Sequence, residues 1–286
     1  MALETGLQGL RVLITGASGG IGGALATAFA GEGCRLVVHA GSRHDALQAT
    51  ADREGWDACV GSGDLRDPQV SRALIELGLE RFGGVDICIA NAGKWPVADV
   101  PLAELDDDRV REVLDVNLLG TLWTARAFLA GLARRKDVRA GIGASLCMTG
   151  STAAQFGEAG HCTYSVAKAG MYGLVRTLKN EIVALDPYGR VNLVEPGWTV
   201  TAMAREALGR DEAIQDVLRT MPLRQLSRGE DIARAVLTLS SPHLSRHVTG
   251  QVLTVAGGME GRVQWMPEQI DVAEVRARLN TDPTAP

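Results

Sequence analysis

The chain has 286 residues, of which 46% are hydrophobic, and it carries a formal net charge of −5 with a pI near 5.6. This length is enough for one large α/β domain or two small ones, and the scattered basic residues argue against a nucleic-acid or an anionic-membrane partner. No apolar run approaches the ~18 residues of a membrane span and the start lacks the basic and apolar regions of a secretory signal, so we expect a cytoplasmic protein.

Seven near-continuously apolar, β-branched runs alternate with helical segments along most of the chain. Buried parallel strands have this composition, and the intervening helices supply the crossovers of a doubly wound sheet. The pattern therefore predicts an α/β fold with a doubly wound parallel sheet of about seven strands and helices on both faces. The predicted strands are residues 10–15, 35–40, 58–60, 85–90, 144–148, 191–194 and 251–255.

A glycine-rich turn, TGASGGIG, follows the first predicted strand and leads into a helix of small residues. At Gly16, Gly20 and Gly22 the missing side chains let backbone N–H groups approach a pyrophosphate, whose charge the helix N-terminus stabilises. The alternative is a tight strand-to-helix turn without a ligand. Because the turn directly follows the first strand of an alternating pattern, we favour dinucleotide binding.

The end of the second predicted strand, RLVVHAGSRHD, has no Asp or Glu at the position where a carboxylate would bind the ribose of NAD(H). It offers Ser42, Arg43 and His39, which suit a 2′-phosphate. This segment favours NADP(H), with NAD(H) possible, and the alternative is that Arg43 is a solvated loop residue.

Small or polar residues follow each of the next two predicted strands. Asp64 could accept a hydrogen bond from the adenine amino group, or it could cap the helix that follows Pro68. Asn91, Ala92 and Gly93 end the fourth strand, where small residues leave room for a ribose or a nicotinamide, or simply form a turn.

Asn117 is the one polar residue on an otherwise apolar helical stripe. A buried amide must find hydrogen-bond partners. It could stabilise a distortion of the helix and hold a water between Lys168 and solvent, or it could be a satisfied core residue.

Tyr164 and Lys168 are four residues apart, which places them on one face of a helix. A free phenol titrates near pH ~10, so a tyrosine that exchanges protons near neutrality needs a cation beside it. We therefore expect Lys168 to lower the pKa of Tyr164. Ser145, Ser151 and Thr152 follow or belong to the fifth strand, and spacing does not choose among them.

The motifs TGASGGIG, NAG at 91–93, Asn117, Ser151, the pair Tyr164 and Lys168, and EPGWTVT at 195–201 together resemble the short-chain dehydrogenase/reductase family over residues 7–259. The resemblance implies a single Rossmann-like domain over residues 1–261 that holds both the cofactor and the substrate sites. It also implies an NAD(P)(H)-dependent interconversion of a ketone and a secondary alcohol, usually by a homotetramer or homodimer. The alternative is a non-catalytic nucleotide-sensing or interaction protein, which would not need all the motif residues.

By resemblance, Tyr164 is the acid/base, Ser151 binds the substrate oxygen, Lys168 binds the nicotinamide ribose and acidifies Tyr164, and Asn117 holds a relaying water. No metal site is predicted. The resemblance implies a nucleotide site formed by Gly16, Ser18, Gly20, Ile21, Gly22, Ser42, Arg43, Asp64, Leu65, Asn91, Ala92, Gly93, Tyr164, Lys168, Pro196, Gly197, Thr199 and Thr201, with Ile14 as a further lining residue.

The substrate is expected to be a medium-sized, partly apolar ketone or secondary alcohol, with a 3-oxoacyl thioester as one case. Residues 198–221 are the expected lid. Trp95, Phe156 and His161 are candidate pocket residues, and Gly19 stands where many NADP-dependent relatives have Arg or Lys.

Residues 262–286 extend beyond the resemblance. Within them Val272, Val275 and Leu279 recur with helical spacing, which predicts a short amphipathic helix within 265–279. We expect this helix to dock on its own or a neighbouring subunit near the mouth of the substrate site, and residues 280–286 to be a frayed end. The alternative is that the whole extension is a frayed terminus.

Overall fold

Seven parallel strands form the central sheet of the protein, whose computed structural model describes residues 4–138, 140–201, 209–263 and 265–280. The strands are β1 (Arg11–Ile14), β2 (Arg35–Ala40), β3 (Ala58–Ser62), β4 (Ile87–Ala90), β5 (Ser145–Thr149), β6 (Arg190–Pro196) and β9 (Val252–Val255), while β7 (Thr199–Val200) pairs separately with β8 (Ser227–Arg228). Their order is β3-β2-β1-β4-β5-β6-β9. The predicted doubly wound sheet is confirmed, and every strand lies within two residues of its predicted bounds.

Ten α-helices are present in the described part of the chain. They are α1 (Gly20–Gly31), α2 (His44–Arg53), α3 (Pro68–Phe82), α4 (Asp107–Leu114), α5 (Gly120–Gly131), α6 (Thr152–Phe156), α7 (Cys162–Leu185), α8 (Asp211–Leu218), α9 (Gly229–Ser240) and α10 (Val272–Asn280). Helices α1 and α9 pack together on one face of the sheet, and α3, α5 and α7 cover the other.

The central strands are buried on both faces, which explains their continuous apolar composition. Every residue of β1, β4, β5 and β6 is buried. Leu25 and Phe29 of α1 pack on one face of the sheet, and Phe128 of α5 and Val175 of α7 pack on the other. Because helices cover both faces of the sheet, a ligand can reach the central strands at their ends but not at their faces.

Helices α4 and α5 belong to one helical stretch, Asp107–Arg134, which is interrupted by a π-helical turn at Asp115–Leu119. By length and composition alone this stretch is long and apolar enough to cross a membrane, although no membrane span was expected from the sequence. In the structure 56% of its most apolar window is buried inside the protein, against α3 and α7. A mostly buried core helix can have this length and this apolar composition, so the stretch is weak evidence for a membrane span.

The C-terminal extension packs against α8. Val272 and Val275 are buried with Ile214 and Leu218 of α8 in a separate apolar cluster. The indole of Trp265 donates a hydrogen bond of 2.8 Å to the carbonyl of Met221, just after that helix. The extension therefore packs on the described second half of the expected lid, residues 211–221. The predicted end, residues 280–286, lies almost wholly outside the described residues.

Replacing Val275 with Asp should detach the extension from α8. Val275 is 3% exposed, so the new carboxylate would be buried without a partner at a cost of about 2–4 kcal/mol. We expect urea denaturation to show a loss of stability of this size. Ala273→Asp places the same charge on the exposed side of α10 and is the control. Equal stability of the two variants would mean that the extension contributes nothing to the fold.

Candidate active site

A cleft of about 990 Å³ opens at the carboxyl ends of the strands, between β1 and β4, where the strand order of the sheet reverses. Parallel sheets bind ligands at such a reversal. All but one of the residues predicted for the nucleotide site line this cleft, Tyr164 and Lys168 among them, and so does Ser151. Ile14 is the exception, because it is buried in the core of β1 and does not reach the cleft.

The glycine-rich turn is shaped by close backbone approach. Gly16 has φ +69°, a conformation that side chains rarely adopt. A Cβ on Gly22 would lie 2.1 Å from the carbonyl oxygen of Gly16, so no larger residue fits. Gly19 provides no side-chain cap for α1. The first residues of α1, Gly20 to Gly22, line the cleft, so an anion bound there can accept hydrogen bonds from their N–H groups.

Two threonines that the sequence analysis missed connect the strand ends. The Thr15 hydroxyl accepts hydrogen bonds of 3.0 Å from the backbone N–H groups of Asn91 and Ala92. The Asn91 side chain donates to the Thr15 carbonyl at 3.0 Å and accepts from the Thr149 hydroxyl at 3.2 Å. These bonds join β1, β4 and β5 at the floor of the cleft. In the sequence, these residues could have been found as threonines that stand at the ends of apolar strands.

The end of β2 carries Ser42 and Arg43 on the exposed rim of the cleft. His39 also lines the cleft, but both of its ring nitrogens are engaged. Its Nδ1 accepts from the Gly16 N–H at 3.2 Å, and its Nε2 donates to the Gly63 carbonyl at 2.9 Å. Burial lowers the pKa of His39, consistent with the neutral ring that these bonds require. His39 therefore braces the glycine-rich turn.

Asp64 lines the cleft and does not cap the following helix. Its carboxylate accepts two hydrogen bonds from Arg66, at 2.9 Å from the backbone N–H and 2.7 Å from Nε. The hydrogen bond from Arg66 also lowers the pKa of Asp64. The cap of α3 is Asp67, which accepts from the Gln69 N–H at 2.8 Å. The capping alternative for Asp64 was wrong because the helix begins at Pro68, so the capping position is Asp67, three residues after Asp64.

Ser151 and Tyr164 meet at the centre of the cleft. Ser151 caps α6 by accepting a hydrogen bond of 3.2 Å from the Ala153 N–H, and its hydroxyl is near enough to the Tyr164 phenol to lower the pKa of that group. Ser145 is excluded, because it lies at the opposite end of β5 and its hydroxyl is buried. Thr152 lines the cleft as the first residue of α6.

Lys168 lies one turn after Tyr164 on α7, with Nζ 5.7 Å from the centroid of the phenol ring. Its ammonium donates a hydrogen bond of 2.8 Å to the carbonyl of Thr149. Burial lowers the pKa of Lys168 to about 8. Among the described residues no carboxylate forms an ion pair with this buried cation, and it can lose its proton closer to neutral pH than an exposed lysine can.

The pKa of Tyr164 differs from our expectation of a lowered value. Burial raises the pKa of Tyr164 to about 12, while the hydrogen bond from Ser151 lowers it and the nearby charge of Glu158 raises it. The expectation considered only the cation four residues away. It left out the loss of solvation, which disfavours the phenolate.

Asn117 is fully buried in the π-helical turn, behind the cleft wall. Its amide donates at 3.0 Å to the carbonyls of Val113 and Lys94, and its oxygen accepts from the Lys94 N–H at 3.0 Å. A Cβ on Gly93 would lie 2.8 Å from that oxygen and 3.2 Å from the ammonium of Lys168. The expected helix distortion is therefore present, and Gly93 lets the amide and the ammonium come close.

Trp95 and Phe156 line the outer part of the cleft, whereas His161 does not. His161 is 2% exposed and lies behind Trp95, with the two rings stacked at 4.7 Å. Glu158 and Trp198 also line this part of the cleft. The sequence analysis missed Glu158 because a single acidic residue in a loop resembles any other surface residue. Of the expected lid, residues 202–208 lie outside the described residues.

Comparison with known proteins gives one consistent result. The family model described as "Enoyl-(Acyl carrier protein) reductase" matches residues 16–260. An L-rhamnose 1-dehydrogenase (NAD(P)(+)) of Sphingomonas sp. (strain SKA58) is 33% identical over 265 residues, covering 90% of this chain and 99% of the relative. A 3-oxoacyl-(acyl-carrier-protein) reductase of Vibrio cholerae is 31% identical over 253 residues, covering 88% and 98%. The solved structure of a "Short-chain dehydrogenase/reductase SDR:Glucose/ribitol dehydrogenase" from Brucella melitensis matches with a TM-score of 0.80 at 28% identity, covering 90% and 99%.

Replacing Lys168 with Met should stabilise the protein at pH 7. Lowering the pKa of Lys168 from 10.5 to about 8 reduces the free energy of unfolding by about 3 kcal/mol at a pH where the lysine is charged in both states. The lost hydrogen bond to Thr149 offsets part of that gain, so we expect about 1–2 kcal/mol in urea denaturation at pH 7.

The advantage of Lys168→Met should shrink as the pH rises above about 8. Because the folded-state pKa is lowered, the unfolded chain binds more protons between pH 8 and 10.5, so the parent gains stability over that window. Lys179→Met, at a partly exposed lysine of α7 whose ammonium bonds to Asn180 at the surface, is the control and should keep the parent's pH dependence. A difference between Lys168→Met and the parent that does not change with pH would contradict this account of the buried ammonium.

Proposed function

This chain belongs to the short-chain dehydrogenase/reductase family, and from that premise we propose that it interconverts a ketone and a secondary alcohol with NAD(P)(H), using Tyr164 as the acid/base. The proposal rests on one observation: Ser151, Tyr164 and Lys168 line the same cleft as the glycine-rich turn. A relative that acts on L-rhamnose and one that acts on 3-oxoacyl groups, as their names state, both fit this reaction class.

The cleft residues fit a nicotinamide dinucleotide. Gly16 and Gly22 leave a cradle that a Cβ would fill, and the N-terminus of α1 faces it. The cleft of about 990 Å³ continues from this cradle to Ser151 and Tyr164, which leaves room for an extended ligand. When bound, the nicotinamide ring supplies or accepts a hydride.

In the reducing direction the chain's own residues handle the proton. The Ser151 hydroxyl and the Tyr164 phenol both bind the carbonyl oxygen of the substrate. As the carbonyl carbon gains a hydride, Tyr164 donates its proton to the oxygen, which gives the alcohol and leaves a phenolate. Lys168 then stabilises that phenolate, since its ammonium lies one turn away. In the oxidising direction the phenolate takes the proton back.

A raised pKa suits Tyr164 to the role of proton donor. With a pKa of about 12 the phenol stays protonated at neutral pH, so the group is ready to reduce a ketone. Oxidation of an alcohol needs the phenolate, and the buried ammonium of Lys168 is the group that can favour it.

We propose NADP(H) as the preferred cofactor. Ala40 ends β2, so no carboxylate there repels a 2′-phosphate, and Ser42 and Arg43 stand on the rim. The guanidinium of Arg43 can bind a phosphate by charge-assisted hydrogen bonds.

We also propose that the protein works in the cytoplasm as a homotetramer or homodimer. Exposed apolar residues support the assembly, with Val166 on α7 53% exposed and Leu253 on the edge strand β9 39% exposed. A subunit interface would cover them.

Replacing Tyr164 with Phe should lower kcat by at least about a hundredfold, because the proton donor is lost. The dissociation constant for NADPH, measured by fluorescence titration, should change little, since the phenol oxygen rather than the ring carries the chemistry. Tyr188→Phe removes the hydroxyl of a tyrosine that is 49% exposed and is the control. Activity of Tyr164→Phe within tenfold of the parent would reject the mechanism.

Replacing Arg43 with Ala should raise the KM for NADPH more than that for NADH, because only NADPH carries the phosphate that Arg43 would bind. The change in KM for NADPH should be about tenfold or more. Arg53→Ala, on the exposed surface of the same helix region, is the control. Parent kcat/KM values that are equal for the two cofactors, or higher for NADH, would overturn the assignment of NADP(H).

A further inference from the structure

The substrate part of the cleft contains an acidic group that the reaction itself does not require. Glu158 lies in the loop between α6 and α7, and its side chain is 26% exposed and lines the cleft. The one other acidic residue of the described lining is Asp64, which lies near the glycine-rich turn and is paired with Arg66. Glu158 is therefore the carboxylate that a bound substrate would meet.

Glu158 is held in place by an aromatic support. The indole of Trp95 donates a hydrogen bond of 3.2 Å to Oε2 of Glu158. The ring of His161 stacks on Trp95 at an interplanar angle of 11°, and its Nδ1 is 3.9 Å from Oε1. The carboxylate thus approaches the cleft with one oxygen bound to Trp95 and with lone pairs still available.

His161 is itself fixed from behind. Its Nε2 donates to the carbonyl of Pro96 at 2.7 Å, because a carbonyl oxygen can only accept. Its Nδ1 lies 3.3 Å from Oδ1 of Asp99. A Cβ on Gly160 would lie 2.8 Å from the Asp99 side chain, so this glycine lets the loop of Glu158 pack on the segment of Trp95. The buried ring of His161, bonded to Pro96, is therefore the fixed part of this support, whereas the Asp99 side chain is 78% exposed and is not needed to hold the ring.

The carboxylate opposes part of the chemistry beside it. The charge of Glu158 raises the pKa of Tyr164, which makes the phenolate harder to form. The negative charge of Glu158 is thus a disadvantage for the oxidation of a plain alcohol. Burial raises the pKa of Glu158 as well, because it disfavours the ionised carboxylate. A partner that donates hydrogen bonds to the carboxylate would offset both costs, because it would draw the charge away from the phenol.

A substrate hydroxyl is the donor that fits this place. An ionised carboxylate only accepts hydrogen bonds, so an ester, a thioester or a hydrocarbon chain offers it nothing. Trp198 stands edge-on to Trp95 at 6.0 Å, and the two indoles give the cleft flat apolar walls. Apolar walls with one oriented polar group suit a compact ring or chain that carries hydroxyl groups.

We propose that Glu158 accepts a hydrogen bond from a hydroxyl group next to the reacting carbon, so that the enzyme selects vicinal diols and α-hydroxy ketones, including sugars, over 3-oxoacyl thioesters. This proposal rests on the ketone and alcohol chemistry proposed above. A site that is built to bind a hydroxyl discriminates strongly against an analogue without it, since the polar group is then left unpaired. A hydrogen bond to a charged group is worth about 10-fold to 150-fold in affinity.

The test compares substrates that differ in one hydroxyl. The oxidation of trans-cyclohexane-1,2-diol is compared with that of cyclohexanol, and the reduction of 3-hydroxybutan-2-one with that of butan-2-one. The acetoacetyl thioester of N-acetylcysteamine serves as the thioester probe. The parent should have the higher kcat/KM for the hydroxylated member of each pair and should use the thioester poorly.

Two variants assign the preference to Glu158. Glu158→Gln should reduce the ratio of kcat/KM within each pair by about 10-fold to 150-fold, with little loss on cyclohexanol and butan-2-one. Asp99→Asn removes the carboxylate 3.3 Å from the same histidine but outside the described cleft lining, so it should leave the ratios unchanged. NADPH titration of both variants checks that the cleft remains folded.

Three outcomes would overturn the proposal. These are a parent that prefers cyclohexanol or the thioester, a Glu158→Gln variant that loses activity equally on both members of a pair, and an Asp99→Asn variant with the same effect as Glu158→Gln. Turnover of the plain substrates without a preference for the diols rejects this proposal alone. If the parent converts none of the probes with either cofactor, the proposed function fails as well.

Discussion

The buried ammonium of Lys168 is the constraint on which the arrangement of the cleft depends. A buried cation must find a partner, and Lys168 donates to the carbonyl of Thr149 at the end of β5. Gly93 must remain without a side chain for the ammonium to lie near the amide of Asn117, and that amide holds the π-helical turn between α4 and α5. The ends of β4 and β5, the long helix α7 and the distorted helix behind the cleft therefore come together around one charged group.

Patterns that depend on neighbours along the chain were sufficient to predict most of the fold. A strand buried on both faces requires continuous apolar residues, so the seven strands could be found from composition alone. The glycine-rich turn was identifiable because close backbone approach excludes a side chain at Gly22. Asn117 stood out because an amide on an apolar stripe must be satisfied within the protein, and the helix accommodates it by widening.

The features that sequence reasoning missed depend on contacts between distant segments. The pKa of Tyr164 is set mainly by burial, which the spacing to Lys168 does not reveal. His161 was expected in the pocket, yet it lies behind Trp95, and Glu158 from the same loop takes the place in the cleft. Thr15 and Thr149 meet Asn91 only after three strands are aligned. Such contacts join residues more than fifty positions apart, and a periodic pattern carries no information about them.

Direct transfer of hydrogen between substrate and nucleotide is the central claim of this account, and isotope labelling tests it most directly. The parent is given NADP⁺ and a secondary alcohol that carries deuterium on its carbinol carbon, and the recovered nucleotide is analysed by NMR. The account predicts that the deuterium appears at the nicotinamide C4 in the same amount as the ketone formed, because Tyr164 exchanges only the hydroxyl proton with solvent. Deuterium found in the water rather than on the nucleotide, or ketone formed without reduction of the nucleotide, would contradict it.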